Sequence, residues 1–331
     1  MEMRNFGRTG LQVSVFGFGC GAVGGLMVRG APADQERAVA RALEVGINYF
    51  DTAVQYGNGA SETNLGRVWA KLKPAAYIGT KVRFTQAERG SIAAAAAASL
   101  DGSLQRLGMD HVDIFHLHNA ITTDGEGESV SVQMVLEQVV PAFEALRQQG
   151  KTRFLGITAV GDTAALHQVI DSGAFQSAQV SYNMLNPSAR EAIPPFYPAQ
   201  DYRRLLDHTQ AAGVGTIGIR ALAGGALSGE ADRHPIASPA PEPIGSAMSY
   251  ESDLGRARRL APLVGEGHAA SLAEAATRFV ITNPAISTVL VGMATEAEFE
   301  QALAAVEKGP LPAPALARLA ELQHGFAGEA R

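Results

Sequence analysis

A single cysteine, Cys20, stands in 331 residues, so no disulfide forms within the chain and a reducing compartment, the cytoplasm, is expected. Basic residues are in deficit as well. The formal net charge of −6 gives no basic face for nucleic acid or for an anionic membrane, and neither is expected as a partner. No window approaches the roughly 18 apolar residues of a membrane span. The opening MEMRNFGRTG is polar and lacks the apolar core of a signal peptide. Nothing along the chain has the composition of an interdomain linker, so residues 1–331 are expected to form one domain, and nothing points to a metal or to a particular oligomeric state. What remains is an ordinary globular balance, 46% hydrophobic and 18% charged, with ample material for a large core.

Short apolar runs recur along the chain: VFGFG (15–19), INYFD (47–51), AYIGTK (76–81), VDIFHLH (112–118), RFLGIT (153–158), AQVSYN (178–183), GTIGI (215–219) and STVLVG (287–292). Each is rich in Val, Ile or Phe and has Gly or a polar residue near its end, as parallel strands buried on both faces require. Helical spacing fills the gaps. Ala38, Ala42 and Val45 share a face, as do Ile92, Leu100, Leu104 and Leu107, then Val139, Phe143 and Leu146, then Leu272, Ala276, Phe279 and Val280. The alanine run 93–98 belongs to the second of these helices, alanine being the best helix former. Eight strand–helix units predict an α/β fold, a single (β/α)8 TIM barrel. The rival is an open doubly wound sheet, but the glycines at 17, 19 and 21 are spaced G-x-G-x-G and do not make its dinucleotide fingerprint. Ahead of the first run, Arg-Thr-Gly between two extended segments predicts an N-terminal β-hairpin capping the barrel floor. Two long loops, 119–131 and the proline-rich Gly229–Ser249, follow the fourth and seventh runs and fall on the active face.

In a barrel, residues at the C-terminal ends of the strands share one mouth. Asp51 ends the second run, with Tyr56 in its loop; Lys81 ends the third, and His116 and His118 end the fourth. Taken singly, Asp51 reads as a helix N-cap, Lys81 as a solvated rim charge, and the histidines as satisfied core or rim residues. Together, at three adjacent strand ends, they suit proton transfer through a phenol. A free tyrosine titrates near 10, too high for efficient acid–base work at neutrality, and a neighbouring ammonium lowers that value. Lys81 is expected to do so, with Asp51 holding Lys81. Only one of His116 and His118 is expected to face the mouth, the other pointing away.

FDTAVQYG, GTK and VDIFHLH resemble the aldo-keto reductase superfamily, in its sugar and aldose dehydrogenase-like branch, and so do FGRTGLQVSVFGFG, SETNLGR (61–67), QVSYNMLN (179–186) and LAGGALSG (222–229). The resemblance implies a catalytic tetrad of Asp51, Tyr56, Lys81 and His118; His118 is preferred to His116 because the family's histidine falls five residues after the aspartate of VD. It implies reversible hydride transfer between NADP or NAD and the carbonyl carbon of a small aldehyde, ketone or sugar. Cofactor contacts are implied at Gly19, Cys20, Asp51, Thr158, Gln179, Ile219, Arg220, Leu222, Gly224, Leu227, Gly292, Ala294 and Glu298. Several positions depart from the family pattern. Ala159 cannot hydrogen-bond the nicotinamide amide, which leaves Thr158 and Gln179. Ile219 replaces a stacking aromatic ring, and Arg220 reads equally as a pyrophosphate contact or a structural rim charge. Cys20 reads more readily as a packed residue than a reactive one. The segment 292–302 contains no Lys or Arg. Glu298 and Ala302 stand where relatives carry Arg or Gln and Asn, which leans the phosphate preference toward NAD unless Arg233 or His234 of the long loop compensates. Two other functions stand against the enzyme reading: a cofactor-binding redox sensor with little turnover, and a Schiff-base aldolase using Lys81, which an ammonium held beside Asp51 disfavours.

Overall fold

A computed structural model describes residues 1–329. Its strands are β1 (Met3–Asn5), β2 (Gln12–Ser14), β3 (Phe16–Gly19), β4 (Tyr49–Asp51), β5 (Tyr77–Val82), β6 (Val112–Leu117), β7 (Ile121–Thr122), β8 (Val130–Ser131), β9 (Thr152–Ala159), β10 (Ser177–Ser181), β11 (Gly215–Ile219) and β12 (Thr288–Val291). The eight strands β3, β4, β5, β6, β9, β10, β11 and β12 pair in parallel in that order, and β12 closes on β3. These are the eight apolar runs of the sequence. The protein is a (β/α)8 barrel.

The barrel strands are buried on both faces, and two apolar clusters account for this. The larger lies between the strands and the surrounding helices. It contains the helix stripes foreseen above: Ala38 and Ala42 of Pro32–Glu44, Ile92, Leu100, Leu104 and Leu107 of Ile92–Leu107, Phe143 and Leu146 of Val140–Gln148, and Leu272, Ala276, Phe279 and Val280 of Leu272–Thr282. The smaller fills the barrel floor. The hairpin β1–β2 turns through Gly7–Thr9 and inserts Phe6, Leu11 and Val13 beneath Tyr49, Ile114, Ile217 and Leu290. Phe6 stacks on Tyr49 at 6.1 Å, so the bottom of the barrel is sealed with aromatic surface.

Gly229–Ser249 contains no helix or strand, as its four prolines dictate, but it is fastened down. The Arg233 side chain donates to the carbonyls of Gly224, Ser238 and Val23 and to the Tyr250 hydroxyl, and Arg29 donates to the carbonyls of Ile236 and Ala22. The loop thus spans from the end of β11 to the segment after β3. The other long loop is less irregular than its composition predicts, because β7 and β8 pair in parallel within it. Among the described residues no helix is long and apolar enough to cross a membrane.

Candidate active site

Asp51 is the last residue of β4, and Tyr49, two before it, shares its inward face. The chain then leaves the barrel and turns through Gly57, Asn58 and Gly59, all left-handed, with Tyr56 just before the turn. Gly57 is required here: a side chain at its φ of 65° would be strained and would run into Val28. The loop is anchored from below. Ser61 Oγ lies 2.8 Å from Thr52 Oγ1 and donates to the Cys20 carbonyl at 2.9 Å. The next residue, Glu62, is fully buried and accepts from Thr80 Oγ1 (2.5 Å) and Arg106 Nε (2.6 Å), tying its helix, Ala60–Leu72, to β5 and to Ile92–Leu107.

At the centre of the mouth lies Lys81, fully buried near the end of β5. Its ammonium donates to Asp51 Oδ2 at 2.5 Å, to the Thr52 carbonyl at 2.7 Å and to the Tyr56 hydroxyl at 3.1 Å. An ammonium has three donors, and all three are used. The second carboxylate oxygen of Asp51 accepts from Gln179 Nε2 at 2.7 Å and from the Tyr49 hydroxyl at 3.3 Å. Gln179 Oε1 in turn accepts from Thr158 Oγ1 at 3.1 Å. Gln179 and Thr158 therefore belong to the network that orients Asp51, with part of their hydrogen-bonding capacity left over. Opposite Lys81, the His118 ring stands edge-on to Tyr56, with centroids 5.9 Å apart and planes at 86°. Its Nδ1 lies 3.3 Å from Gln55 Oε1.

The electrostatics follow from burial. Removal from water opposes the charge on Lys81, but the Asp51 carboxylate outweighs it and holds the ammonium protonated above the ordinary lysine value. Burial pushes the Tyr56 phenol up, the Lys81 charge pulls it down and Asp51 pushes it up again; burial wins. The expectation from sequence counted only the lysine. The phenol therefore carries its proton at neutral pH. Burial, then Lys81, then Arg83 push His118 down to about 3, so its ring is neutral.

The two histidines correct one expectation. Side chains two residues apart on a strand return to the same face. His116 therefore also points into the barrel, one layer below His118, where its Nε2 lies 3.0 Å from Ser177 Oγ between Gly79 and Gly156.

The residues expected to touch a cofactor are placed unevenly. Gly19, Ile219, Arg220, Leu222, Gly292 and Ala294 lie at or just beyond the ends of β3, β11 and β12. Arg220 adopts φ 58° and donates to the Glu242 carbonyl at 3.2 Å. Gly224 is buried under Pro241. Cys20 and Leu227 are fully buried in the outer apolar cluster, and burial pushes the Cys20 thiol up, which makes it inert. Glu298 sits in the first turn of Glu296–Glu307 and accepts from the Ala294 amide at 2.7 Å. Tyr49 and Arg83 join the site without having been expected there, and the signal for both is present in the sequence, since they stand two residues from Asp51 and Lys81 and share their faces.

Residues 15–324 match the model of the Aldo/keto reductase family. An L-galactose dehydrogenase of Arabidopsis thaliana is 30% identical over 311 residues, covering 92% of this chain and 88% of its own. An L-glyceraldehyde 3-phosphate reductase of Escherichia coli K12 is 26% identical over 327 residues, covering 91% and 86%. An aldo-keto reductase of Bacillus halodurans, solved in its holo form, superposes with a TM-score of 0.73 at 23% identity, covering 97% of this chain and 96% of that one. That likeness carries the fold.

Proposed function

The chain belongs to the Aldo/keto reductase family, and on that premise we propose that it is a single-domain NAD(P)-dependent oxidoreductase of small aldehydes, ketones or sugars, with Tyr56 as the proton-transfer group. The observation that carries the proposal is the Lys81 ammonium, which bridges the Asp51 carboxylate and the Tyr56 hydroxyl. When bound, a nicotinamide dinucleotide would supply or accept the hydride at the carbonyl carbon. Tyr56 holds the proton that the carbonyl oxygen needs on reduction, and burial keeps that proton in place until it is transferred. Once it has left, Lys81 stabilises the phenolate at 3.1 Å. Asp51, itself fixed by Gln179 and Tyr49, keeps Lys81 charged and aimed. Neutral His118 bounds the other side of the reacting oxygen without placing a second positive charge there. A protonated Lys81 is a poor nucleophile, which speaks against Schiff-base chemistry.

The rim fits a dinucleotide along β11, β12 and β3. Gly19, Gly21 and Gly292 line it, and Gly292 is exposed, so backbone is presented where bulky side chains would block approach. Ile219 supplies an apolar face for the nicotinamide, and the remaining capacity of Gln179 and Thr158 suits its amide. The cofactor reading favours NAD. Glu298 sets a carboxylate near the end of β12, and Arg233, the arginine of the long loop, is committed to three carbonyls and a hydroxyl. The relatives' names, an L-galactose dehydrogenase and an L-glyceraldehyde 3-phosphate reductase, make sugars and small hydroxyaldehydes the first substrates to try.

Tyr56→Phe tests the reading. Under single-turnover conditions the hydride-transfer rate constant is expected to fall by about 10² or more, with cofactor affinity nearly unchanged. A variant that keeps over half of the wild-type rate would remove Tyr56 from the chemistry.

A further inference from the structure

Lys81 points into the barrel, and Arg83 stands two residues further along the same chain. Val82 and Phe84, on either side of Arg83, are buried in the layer between barrel and helices, which turns Arg83 the other way, over the mouth. The register pairs Lys81 with His116 and Val82 with Leu117, and the His118 amide donates to the Val82 carbonyl at 2.8 Å. Continuing that register sets Arg83 beside His118, on the open side of the proton-transfer group. Arg83 is exposed, and among the described residues its guanidinium has neither a hydrogen bond nor an ion pair. Glu88, the carboxylate nearest in sequence, is committed to the Thr85 amide (2.8 Å) and hydroxyl (2.7 Å). Five N–H donors in a planar fork are thus left facing the substrate's side of the mouth.

The position separates this cation from the cofactor. The proposed dinucleotide rim runs over β11, β12 and β3, whereas β5 stands opposite β11 in the barrel, four strands away in either direction. The other mouth arginine, Arg220, is on the β11 side and reaches the long loop. An anion held by Arg83 is accordingly part of the substrate.

We propose that Arg83 is a specificity-determining residue that selects carbonyl substrates carrying a carboxylate or phosphate group, by charge-assisted, bidentate hydrogen bonding beside the reacting carbonyl. The proposal rests on the carbonyl oxidoreductase reading given above. It also accounts for an unpaired cation on the rim of a chain whose net charge is −6.

The test compares two matched pairs on the full chain: succinic semialdehyde against butanal, and glyceraldehyde 3-phosphate against glyceraldehyde. The readout is the anionic-to-neutral ratio of kcat/KM, in which the fraction of folded enzyme cancels. Arg83→Gln is expected to lower this ratio at least tenfold, about 1.4 kcal/mol, in one pair or both. Arg83→Lys should restore part of it, and added salt should lower the wild-type ratio because the site is exposed. An unchanged ratio in both pairs overturns the proposal. A loss of NAD affinity in Arg83→Gln as large as the loss for substrate also overturns it and assigns the arginine to the cofactor. If no carbonyl is turned over, the oxidoreductase reading fails, and calorimetric titration of the NAD-loaded protein with succinate decides the role of Arg83 by itself. Tenfold weaker succinate binding in Arg83→Gln supports an anion site, and equal affinity overturns it.

Discussion

Gly156 decides whether His116 has room inside the barrel. A Cβ at this position would overlap the imidazole, which is already confined by Gly79 and by the Ser177 hydroxyl. His116 is fully buried and cannot yield into solvent. Gly156→Ala is therefore expected to destabilise the fold by about 1–3 kcal/mol, the usual cost of overpacking. Urea unfolding checks this, and an unchanged midpoint would mean that the ring has another place to go. The position also marks what single residues disclose in advance. The convergence of Asp51, Tyr56, Lys81 and His118 is legible because strand ends in a barrel share one mouth, whatever the details of packing. The space His116 occupies is not legible, because it depends on the register of β6 against β9, which places Gly156 beside it. The facing of His116 follows from the two-residue period alone. The Tyr56 phenol is a different kind of case: its neighbouring charge is visible in the residue list, but the burial that outweighs that charge exists only in the folded chain.

Among the elements, the eight barrel strands are legible because burial on both faces leaves uninterrupted apolar runs, and the helices because their stripes face one layer. Features that depend on a particular partner are not. The short pair β7–β8 forms in a polar loop that has no strand pattern of its own. A π turn at Val135–Val139 ends two residues before Pro141, whose missing N–H cannot continue the ordinary ladder. The helix Glu296–Glu307 shows a local pattern with a functional consequence. Thr295 accepts from the Glu298 amide at 3.1 Å, and Glu298 reaches back to the Ala294 amide, so the carboxylate both completes the helix start and holds negative charge beside the proposed cofactor rim. Glu298→Arg removes both effects. The variant keeps the Thr295 cap and is expected to lose about 0.5–1.5 kcal/mol of stability with the hydrogen bond to the Ala294 amide, and its ratio of NADP to NAD affinity should rise, because a guanidinium suits a 2′-phosphate. Dissociation constants of both variants for all four cofactor forms measure this. A wild-type preference for NADPH above roughly 100-fold, about 2.7 kcal/mol, would overturn the NAD assignment.

At the scale of the whole molecule, the buried histidines set how the fold responds to acid. Burial and the Lys81 charge hold His116 well below the ordinary histidine value, and burial, Lys81 and Arg83 hold His118 down to about 3. A histidine in the unfolded chain titrates near 6.5. Below that pH the unfolded state binds protons that the folded state refuses, so each of these residues lowers stability as pH falls; for His118 the loss continues until the folded ring itself protonates near 3. Carboxylates held low by partners, such as Glu88 and Glu274, contribute later, at pH values below the ordinary carboxylate range. Asp51 and Asp253, both pushed up by burial, act in the opposite sense and blur a simple pH profile of the wild type. The difference between the wild type and His118→Asn removes these shared contributions. As pH falls from 6.5 toward 5, the stability of the variant relative to the wild type is expected to improve, with a slope approaching about 1.4 kcal/mol per pH unit, since one fewer proton is taken up on unfolding. Urea unfolding curves at pH 7.5, 6.5, 5.5 and 5.0 give this difference directly. Parallel profiles for the two proteins would show that the His118 ring accepts a proton in the folded state, and the account of a neutral imidazole between Lys81 and Arg83 would then fail.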